Sequence, residues 1–349
     1  MRFLVWLKGQ DRGLGRGLGG LLLACLAVLF LGSGTPARAA FVITPTFGSS
    51  ITNDPNAAAI EGVINSAIAF YESSFSDQIT VTISFNEMTS GLGQSTTGFY
   101  NVSYATYLAA LQADAKTSND ATALAHLPPG PNNPVNGSST INVKSANLRA
   151  VGLPGAPVLA GGFDGSIGLN THITDVGSPG TSGTYSLLAV VEHEIDEVLG
   201  LGSSLPSIPF GTIFPEDLYR YDASGNRSFT TSSSAKAFFS IDGTTDLAQF
   251  DNQNDGGDFG DWQSNPLPNG VPPKVQDAFA TPNAHPTLAN DGGAELTALD
   301  VIGYDLVQPQ VSAAPEPAAL VQVAAGALTL LGYGWRRFRR ASRGAAVAS

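Results

Sequence analysis

Residues 185–201, YSLLAVVEHEIDEVLGL, are the part of this 349-residue chain that most constrains its fold. The apolar residues of this segment recur at steps of four, four and three, at Leu187, Val191, Ile195 and Val198. That spacing places them on one face of an α-helix. The segment therefore predicts a helix that packs its apolar stripe against the core of an α/β domain.

A second face of the same helix carries residues suited to binding a metal ion. His193 and Glu197 lie four residues apart, so their side chains point the same way. Glu194 follows the histidine directly and can take a proton from a water that attacks a carbonyl. This is the pattern of His-Glu-x-x-His zinc peptidases, with a glutamate at the second ligand position. The pattern predicts His193 and Glu197 as metal ligands and Glu194 as the catalytic base.

Zinc is the expected metal, because it accepts carboxylate as well as imidazole ligands. A carboxylate in place of a second histidine weakens the metal as a Lewis acid. We therefore expect slow hydrolysis and a broad metal tolerance that includes manganese and calcium. The alternative is an ordinary solvated acidic helix face, formed by Glu192, Glu194, Asp196 and Glu197.

The third ligand is predicted to be Asp217, in the segment PEDLYRY 20 residues after Glu197. The alternative for Asp217 is that it caps the short LYRY segment. Ser203 stands where the metzincin pattern has its last histidine, and serine is a poor ligand. The chain has no methionine after Met88, which excludes a metzincin Met-turn. The reserve ligands are His172 and His285; for His285, as for His126, a surface position is the alternative.

Residues 251–262, DNQNDGGDFGDW, are a candidate calcium loop because several carboxylates lie among glycines. The segment begins like an EF-hand loop, but it has Gln253 at the third place and Trp262 where a bidentate glutamate should be. A solvated acidic turn is the alternative. The candidate calcium ligands are Asp251, Asp255, Asp258 and Asp261.

Residues 1–39 are predicted to be a secretory signal peptide, with basic residues, an apolar run and a small-residue cleavage site that ends at Ala39. An uncleaved membrane anchor is the alternative. The only cysteine, Cys25, lies inside the apolar run. The mature chain then has no disulfides or thiolate ligands, so any metal must be bound by His, Asp, Glu or backbone oxygen.

The other end of the chain, residues 315–343, has three parts: Pro-Glu-Pro, an apolar segment over 318–335 and a basic tail over 336–343. The apolar segment is about as long as a minimal transmembrane helix. The arginines that follow place its far end in the cytoplasm. The three parts resemble the PEP-CTERM sorting signal of Gram-negative bacteria. The resemblance implies cleavage by an exosortase after export.

The charge of the chain between these ends disfavours partners that are themselves negatively charged. Residues 40–314 hold 7 Lys+Arg and 27 Asp+Glu, a formal charge of −20. Such a domain repels nucleic acid and anionic membranes. We therefore expect a soluble exported domain without a nucleic-acid partner.

The remaining pattern predicts a single α/β domain over 40–307, followed by a linker over 308–314. Apolar spacing predicts helices over 56–71, 104–117 and 295–306 and strands over 78–87, 140–147 and 165–171. The stretch 202–295 is rich in Gly, Asn, Asp, Ser and Pro and is expected to be irregular. The approach to the metal helix, 161–170, is predicted to be the strand that pairs with an extended substrate.

The motifs HEIDEVLGLGS, PEDLYRY, FSIDG, GDFGDW, VQDAF and ALDVIGYDL together resemble a family of secreted bacterial proteins classed as metalloproteases, often with a PEP-CTERM tail. The resemblance spans about residues 41–307. It implies a zincin-like fold, in which a mixed sheet covers an active-site helix, and a protein or peptide substrate. The expected path is signal-peptidase cleavage, temporary anchoring in the inner membrane and sorting to the cell surface. The alternative is a catalytically inactive surface or matrix protein that keeps the scaffold and binds a divalent cation.

Overall fold

A computed structural model describes residues 40–176, 183–206, 211–307, 333 and 335–337. The predicted signal peptide, the linker and all but four residues of the predicted sorting segment lie outside these ranges. The chain divides after Leu306 into two units, and the fold below is that of the first. No helix within the described ranges is both long and apolar enough to span a membrane.

Eleven strands are described in the first unit. In chain order they are β1 (Val42–Phe47), β2 (Thr80–Glu87), β3 (Gly93–Thr97), β4 (Phe99–Ser103), β5 (Thr140–Lys144), β6 (Gly165–Leu169), β7 (Thr174–Asp175), β8 (Tyr185–Ser186), β9 (Arg220–Tyr221), β10 (Phe238–Phe239) and β11 (Ala248–Gln249).

The described helices are α1 (Ser49–Thr52), α2 (Ala57–Ser74), α3 (Tyr104–Asp114), α4 (Ser118–Ala125), α5 (Ser145–Ala150), α6 (Leu187–Leu199) and α7 (Ala294–Val301), with a 3-10 turn at Pro215–Tyr219. The predicted helices over 56–71, 104–117, 185–201 and 295–306 are confirmed as α2, α3, α6 and α7, with ends that differ by a few residues. The molecule is therefore a mixed α/β protein.

The main sheet has the strand order β1-β2-β6-β3. β1, β2 and β6 run parallel, and β3 is an antiparallel strand at the edge of the sheet. Alternate residues of β2, Val81, Ile83 and Phe85, are completely buried, as the period of a strand requires. At this edge of the sheet, the antiparallel strand β3 lies beside the mostly buried parallel strand β6.

Helix α6 packs against this sheet through the predicted apolar stripe. The four stripe residues are each at most 1% exposed, and α6 contacts both β3 and β6. The helix begins after Ser186, whose hydroxyl accepts a hydrogen bond from the Ala189 amide at 3.2 Å. Gly165 on β6 permits the close approach, because a Cβ there would lie 2.3 Å from the Val198 side chain.

Three features of the fold differ from the sequence-based expectation. The strand predicted over 140–147 ends at Lys144, where α5 begins. Strand β6 lies between β2 and β3, so the predicted substrate strand 161–170 is interior to the sheet. The edge strand is β3, which sequence analysis missed because Gly-Gln-Ser-Thr-Thr has no apolar alternation.

The stretch 202–295 is mostly irregular, as predicted, and it is held by a small aromatic core. Phe239, Phe250 and Trp262 pack together with ring centroids 5.0–6.3 Å apart. Arg220 is 1% exposed and stacks on Phe250, with its guanidinium carbon 4.4 Å from the ring centroid. This packing fixes the segment that runs from residue 251 to Trp262.

Candidate metal centre

Three metal-ligating side chains converge beside α6. His193 Nε2 lies 3.9 Å from Glu197 Oε1 and 3.8 Å from Asp261 Oδ2, and one donor atom from each residue lies within 4.8 Å of the others. The helix supplies the first two residues one turn apart, as their spacing predicts. The third comes from the loop before Trp262. The group can therefore bind a metal ion.

The orientation of His193 suits a metal ligand. Its Nδ1 lies 3.0 Å from the backbone oxygen of Val275 and donates a hydrogen bond to it. That bond fixes the tautomer and the plane of the ring. The other ring nitrogen, Nε2, then faces the two carboxylates.

Glu197 is positioned from the edge strand. The Ser95 hydroxyl of β3 donates a hydrogen bond of 2.6 Å to Glu197 Oε2. The other carboxylate oxygen, Oε1, is the one that faces His193. The two oxygens of Glu197 therefore differ: Oε2 accepts the hydrogen bond from Ser95, and Oε1 faces His193.

Glu194 lies under β3 and is 5% exposed. A Cβ at Gly93 would lie 2.2 Å from Glu194 Oε1, so only glycine allows the strand to pass here. The other oxygen, Oε2, is buried without a hydrogen-bond partner. Burial raises the pKa of Glu194, and the neighbouring Glu197 raises it further, while His193 lowers it.

The electrostatics of the group are those of a site that attracts cations. Burial lowers the pKa of His193, but Asp261, Glu194 and Glu197 outweigh this effect and raise it to about 10. Burial also raises the pKa of Asp261. Within the described ranges, no Lys or Arg nitrogen lies within 4.0 Å of these carboxylates. Among the described residues, the imidazole is thus the only basic group within 4.0 Å of these carboxylates, and its Nε2 is the atom that would bind a metal ion.

The acidic residues of α6 do not form a solvated face. Glu192 is 2% exposed and Asp196 is fully buried. The Tyr71 hydroxyl donates to Asp196 Oδ1 at 2.7 Å, and the Leu288 amide donates to Glu192 Oε2 at 3.0 Å. The alternative of an ordinary solvated acidic helix is therefore wrong for this segment.

Asp217, the residue predicted as third ligand, lies elsewhere. Its carboxylate accepts hydrogen bonds from Ser203 Oγ at 2.5 Å, the Phe214 amide at 2.9 Å and the Ser204 amide at 3.1 Å. These bonds join the chain after α6 to the start of the 3-10 turn. Asp217 is thus a capping residue, which was the alternative, and Asp261 is the third member of the group around His193.

The reserve ligands also lie outside the group. His126 and His172 are exposed, and His285 lies 3.6 Å from Asp175 instead. The Ser203 hydroxyl donates its hydrogen bond to Asp217. None of these residues joins His193 in the part of the chain that the structure describes.

The four aspartates of the candidate calcium loop lie in two different places. Asp261 belongs to the group around His193, and Asp258 lines the cleft beside it. Asp251 and Asp255 lie in the first half of the loop and in neither group of three ligating side chains found among the described residues. The four residues therefore do not bind one common ion.

A cleft of about 920 Å³ opens over the group. One wall is the edge of the sheet, residues 91–95, and the floor is α6 with His193, Glu194 and Glu197. Much of the opposite wall comes from the stretch between Val275 and Pro286. Sequence analysis missed Ser95 and the role of Asp261, because only the fold brings positions 95, 193 and 261 together; the acidic GDFGDW motif was the one local signal.

No protein-family model matches this chain, and no curated protein or solved structure matches it either.

Proposed function

We propose that the chain is an exported, metal-dependent peptidase. In this proposal His193, Glu197 and Asp261 hold a zinc ion and Glu194 is the catalytic base. The observation that carries it is the convergence of these four side chains at the floor of a single cleft.

The donor set fits zinc in chemistry, and both carboxylates lie at a distance from His193 Nε2 that one ion can bridge. One imidazole and two carboxylates are ligands that zinc accepts in open catalytic sites. Donors that bind one ion at about 2.1 Å lie at most about 4.2 Å apart. The separations of 3.8 and 3.9 Å from His193 Nε2 meet this limit. When bound, the metal would polarise the scissile carbonyl and lower the pKa of water.

Glu194 is placed to move a proton. Glu194 lines the cleft, and its buried oxygen Oε2 makes no hydrogen bond within the described ranges. Its raised pKa makes the ionised carboxylate a stronger base, which favours proton uptake from the attacking water. The protonated carboxyl would then deliver this proton to the leaving amine.

The edge strand β3 supports an extended peptide as substrate. Its inner edge pairs with β6, and residues 93–95 line the cleft. The backbone groups of an edge strand can pair with an added strand. A bound peptide would then run along β3, above Glu194 and Glu197.

Export and sorting belong to the same proposal. The N-terminal segment ending at Ala39 would direct secretion, and the segment 315–343 would anchor the chain in the inner membrane before an exosortase releases it. The formal charge of −20 on residues 40–314 suits a soluble domain at the cell surface.

The test is peptide hydrolysis by the zinc-loaded chain and by Glu194→Gln. The substitution keeps the size of the side chain and removes the base, so we expect at least a 100-fold loss of kcat, within the range of about 10²–10⁴ for general bases. Zinc content should not change, because Glu194 is not a ligand. Glu61→Gln on α2, remote from the cleft, is the matched control and should remain active.

Hydrolysis at the same rate in Glu194→Gln would refute the catalytic role. Zinc binding without any hydrolysis in the unaltered chain would favour the inactive surface protein on the same scaffold.

A further inference from the structure

The acidic loop, residues 251–262, contains in its first half a buried carboxylate with one oxygen that accepts no hydrogen bond. Asp251 is 1% exposed. Its Oδ1 accepts a hydrogen bond of 3.1 Å from the Gln253 amide, but Oδ2 has no hydrogen-bond partner. This oxygen lies over Gly257, where a Cβ would come within 2.5 Å of it. A buried carboxylate oxygen of this kind costs free energy unless something binds it.

A second carboxylate, that of Asp255, follows in the same loop and interacts electrostatically with the first. Burial raises the pKa of Asp251, and the charge of Asp255 raises it further, while the charge of Arg220 lowers it. In the described ranges no Lys, Arg or His nitrogen lies within 4.0 Å of either carboxylate. The nearby Arg220 donates instead to the Asp251 backbone oxygen and to Asn252 Oδ1. Two adjacent carboxylates need a shared proton or a cation.

Calcium is the cation that suits this place. The donors are all oxygens, and calcium takes six to eight of them on a flexible loop, including backbone oxygens and waters. Asp255 is exposed, so water can complete the shell. Asp251, Gln253 and Asp255 stand at alternate positions, followed by Gly256 with φ +102°. The two aspartates and the glycine match the start of an EF-hand loop, and Gln253 departs from it. Trp262, at the place of the usual bidentate glutamate, is buried in the aromatic core.

The same loop reaches the metal centre. The Asp251 amide donates a hydrogen bond of 2.7 Å to the Asp261 backbone oxygen, which joins the two ends of the loop. Asp261 is the only ligand of the centre that does not come from α6. An ion at the start of the loop would therefore restrict the position of Asp261.

We propose that Asp251 and Asp255 bind a calcium ion, and that this ion fixes the loop that delivers Asp261 to the metal centre. The first part is independent of the proposed function, and the second rests on it.

The first experiment follows thermal unfolding of the full-length chain carrying His193→Ala, stripped with a chelator and titrated with calcium. His193→Ala disables the other centre, so the remaining response reports the loop. We expect the melting temperature to rise by roughly 5–10 °C at calcium about 100-fold above its dissociation constant. Asp255→Asn in this background should remove the rise. Asp246→Asn, an exposed aspartate outside the loop, is the matched control and should keep it.

Asp255 is chosen because it is exposed, so its substitution leaves the core intact. No calcium-dependent rise in the His193→Ala chain, or an equal rise in Asp255→Asn and in the control, would overturn the calcium site.

The second experiment measures zinc affinity of the unaltered chain with and without calcium. We expect calcium to tighten zinc binding by about 5-fold or more, as coupled sites do, and Asp255→Asn to abolish this dependence. Equal zinc affinity in both conditions would overturn the coupling. Absence of zinc binding alongside a persistent calcium shift would instead refute the proposed function.

Discussion

Two groups of three side chains that could bind a metal ion occur among the described residues. Carboxylates lie close together in both groups, but the positive charge beside them comes from different residues. In one group, Asp77, Asp114 and Asp305 meet near the end of the first unit. Lys116 contacts Asp305 and lies 3.4 Å from Asp114, so an ammonium group supplies the positive charge. In the other group, as far as the structure describes the chain, His193 is the only basic side chain with a nitrogen within 4.0 Å of the carboxylates.

The comparison shows why convergence of carboxylates alone does not identify a metal site. A lysine within the group makes the Asp77 group a structural ion-pair network. Lys144, whose charge interacts with Glu197 and Asp261, donates its hydrogen bonds to the backbone oxygens of Glu197 and Leu201, both at 2.6 Å. There the ammonium group caps the end of α6 and forms no ion pair within 4.0 Å of the carboxylates of the centre.

Loss of a ligand should give the largest effect that separates the two groups. We expect His193→Ala and Glu197→Gln each to weaken zinc binding by more than about 100-fold, since loss of an outer-shell partner alone costs 10–100-fold. Asp114→Asn in the other group should leave zinc affinity unchanged. Competition against a zinc-binding dye measures all three, and an equal loss in Asp114→Asn would remove the distinction between the groups.

A smaller loss is expected when Ser95 is changed to alanine. The variant keeps all three ligands but removes the hydrogen bond that orients Glu197, so zinc affinity should fall by about 10–100-fold. Ser73→Ala, an exposed helix serine bonded only to its own helix, is the control. Unchanged zinc affinity in Ser95→Ala would show that the hydrogen bond does not position the ligand.

The pH dependence of stability tests whether the buried Asp77 carboxyl binds a proton in the folded chain. Burial raises the pKa of Asp77 from 3.8 to about 7. The folded chain therefore binds this proton more tightly than the unfolded chain, and the free energy of unfolding falls as pH rises from about 4 to about 7. Asp77→Asn keeps an oxygen for the Asp305 amide.

We expect Asp77→Asn to raise the melting temperature by several degrees at pH 8 and to leave it unchanged at pH 4. Melting curves at both pH values, in chelator, measure the effect. A stabilisation equal at pH 4 and pH 8 would mean that the Asp77 proton is not responsible.

The smallest effect is expected from Lys116→Met. The lysine side chain is 52% exposed, so solvent screens its ion pairs and the loss should be about 1 kcal/mol. That corresponds to a fall in melting temperature of about 2–4 °C for a domain of this size. Zinc affinity should not change. A fall of more than 10 °C would show that the lysine contributes far more than an exposed ion pair.

Local patterns predicted some parts of this molecule and not others. The α6 stripe and the pair of His193 and Glu197 follow from helical periodicity, and both could be derived from the sequence. Asp261 could not be chosen over Asp217, because both are acidic residues in irregular segments and only the tertiary packing of the aromatic core decides which one reaches α6. Strand β3 was missed for a related reason: its polar residues serve the cleft, so they carry no apolar alternation.

The measurement that tests the account most directly is the zinc content of Asp261→Asn compared with Asp217→Asn. Elemental analysis after dialysis against micromolar zinc should find about one ion per chain in the unaltered protein and in Asp217→Asn, and much less in Asp261→Asn. Zinc lost from Asp217→Asn but kept in Asp261→Asn, or no zinc in the unaltered chain, would contradict the metal centre described above.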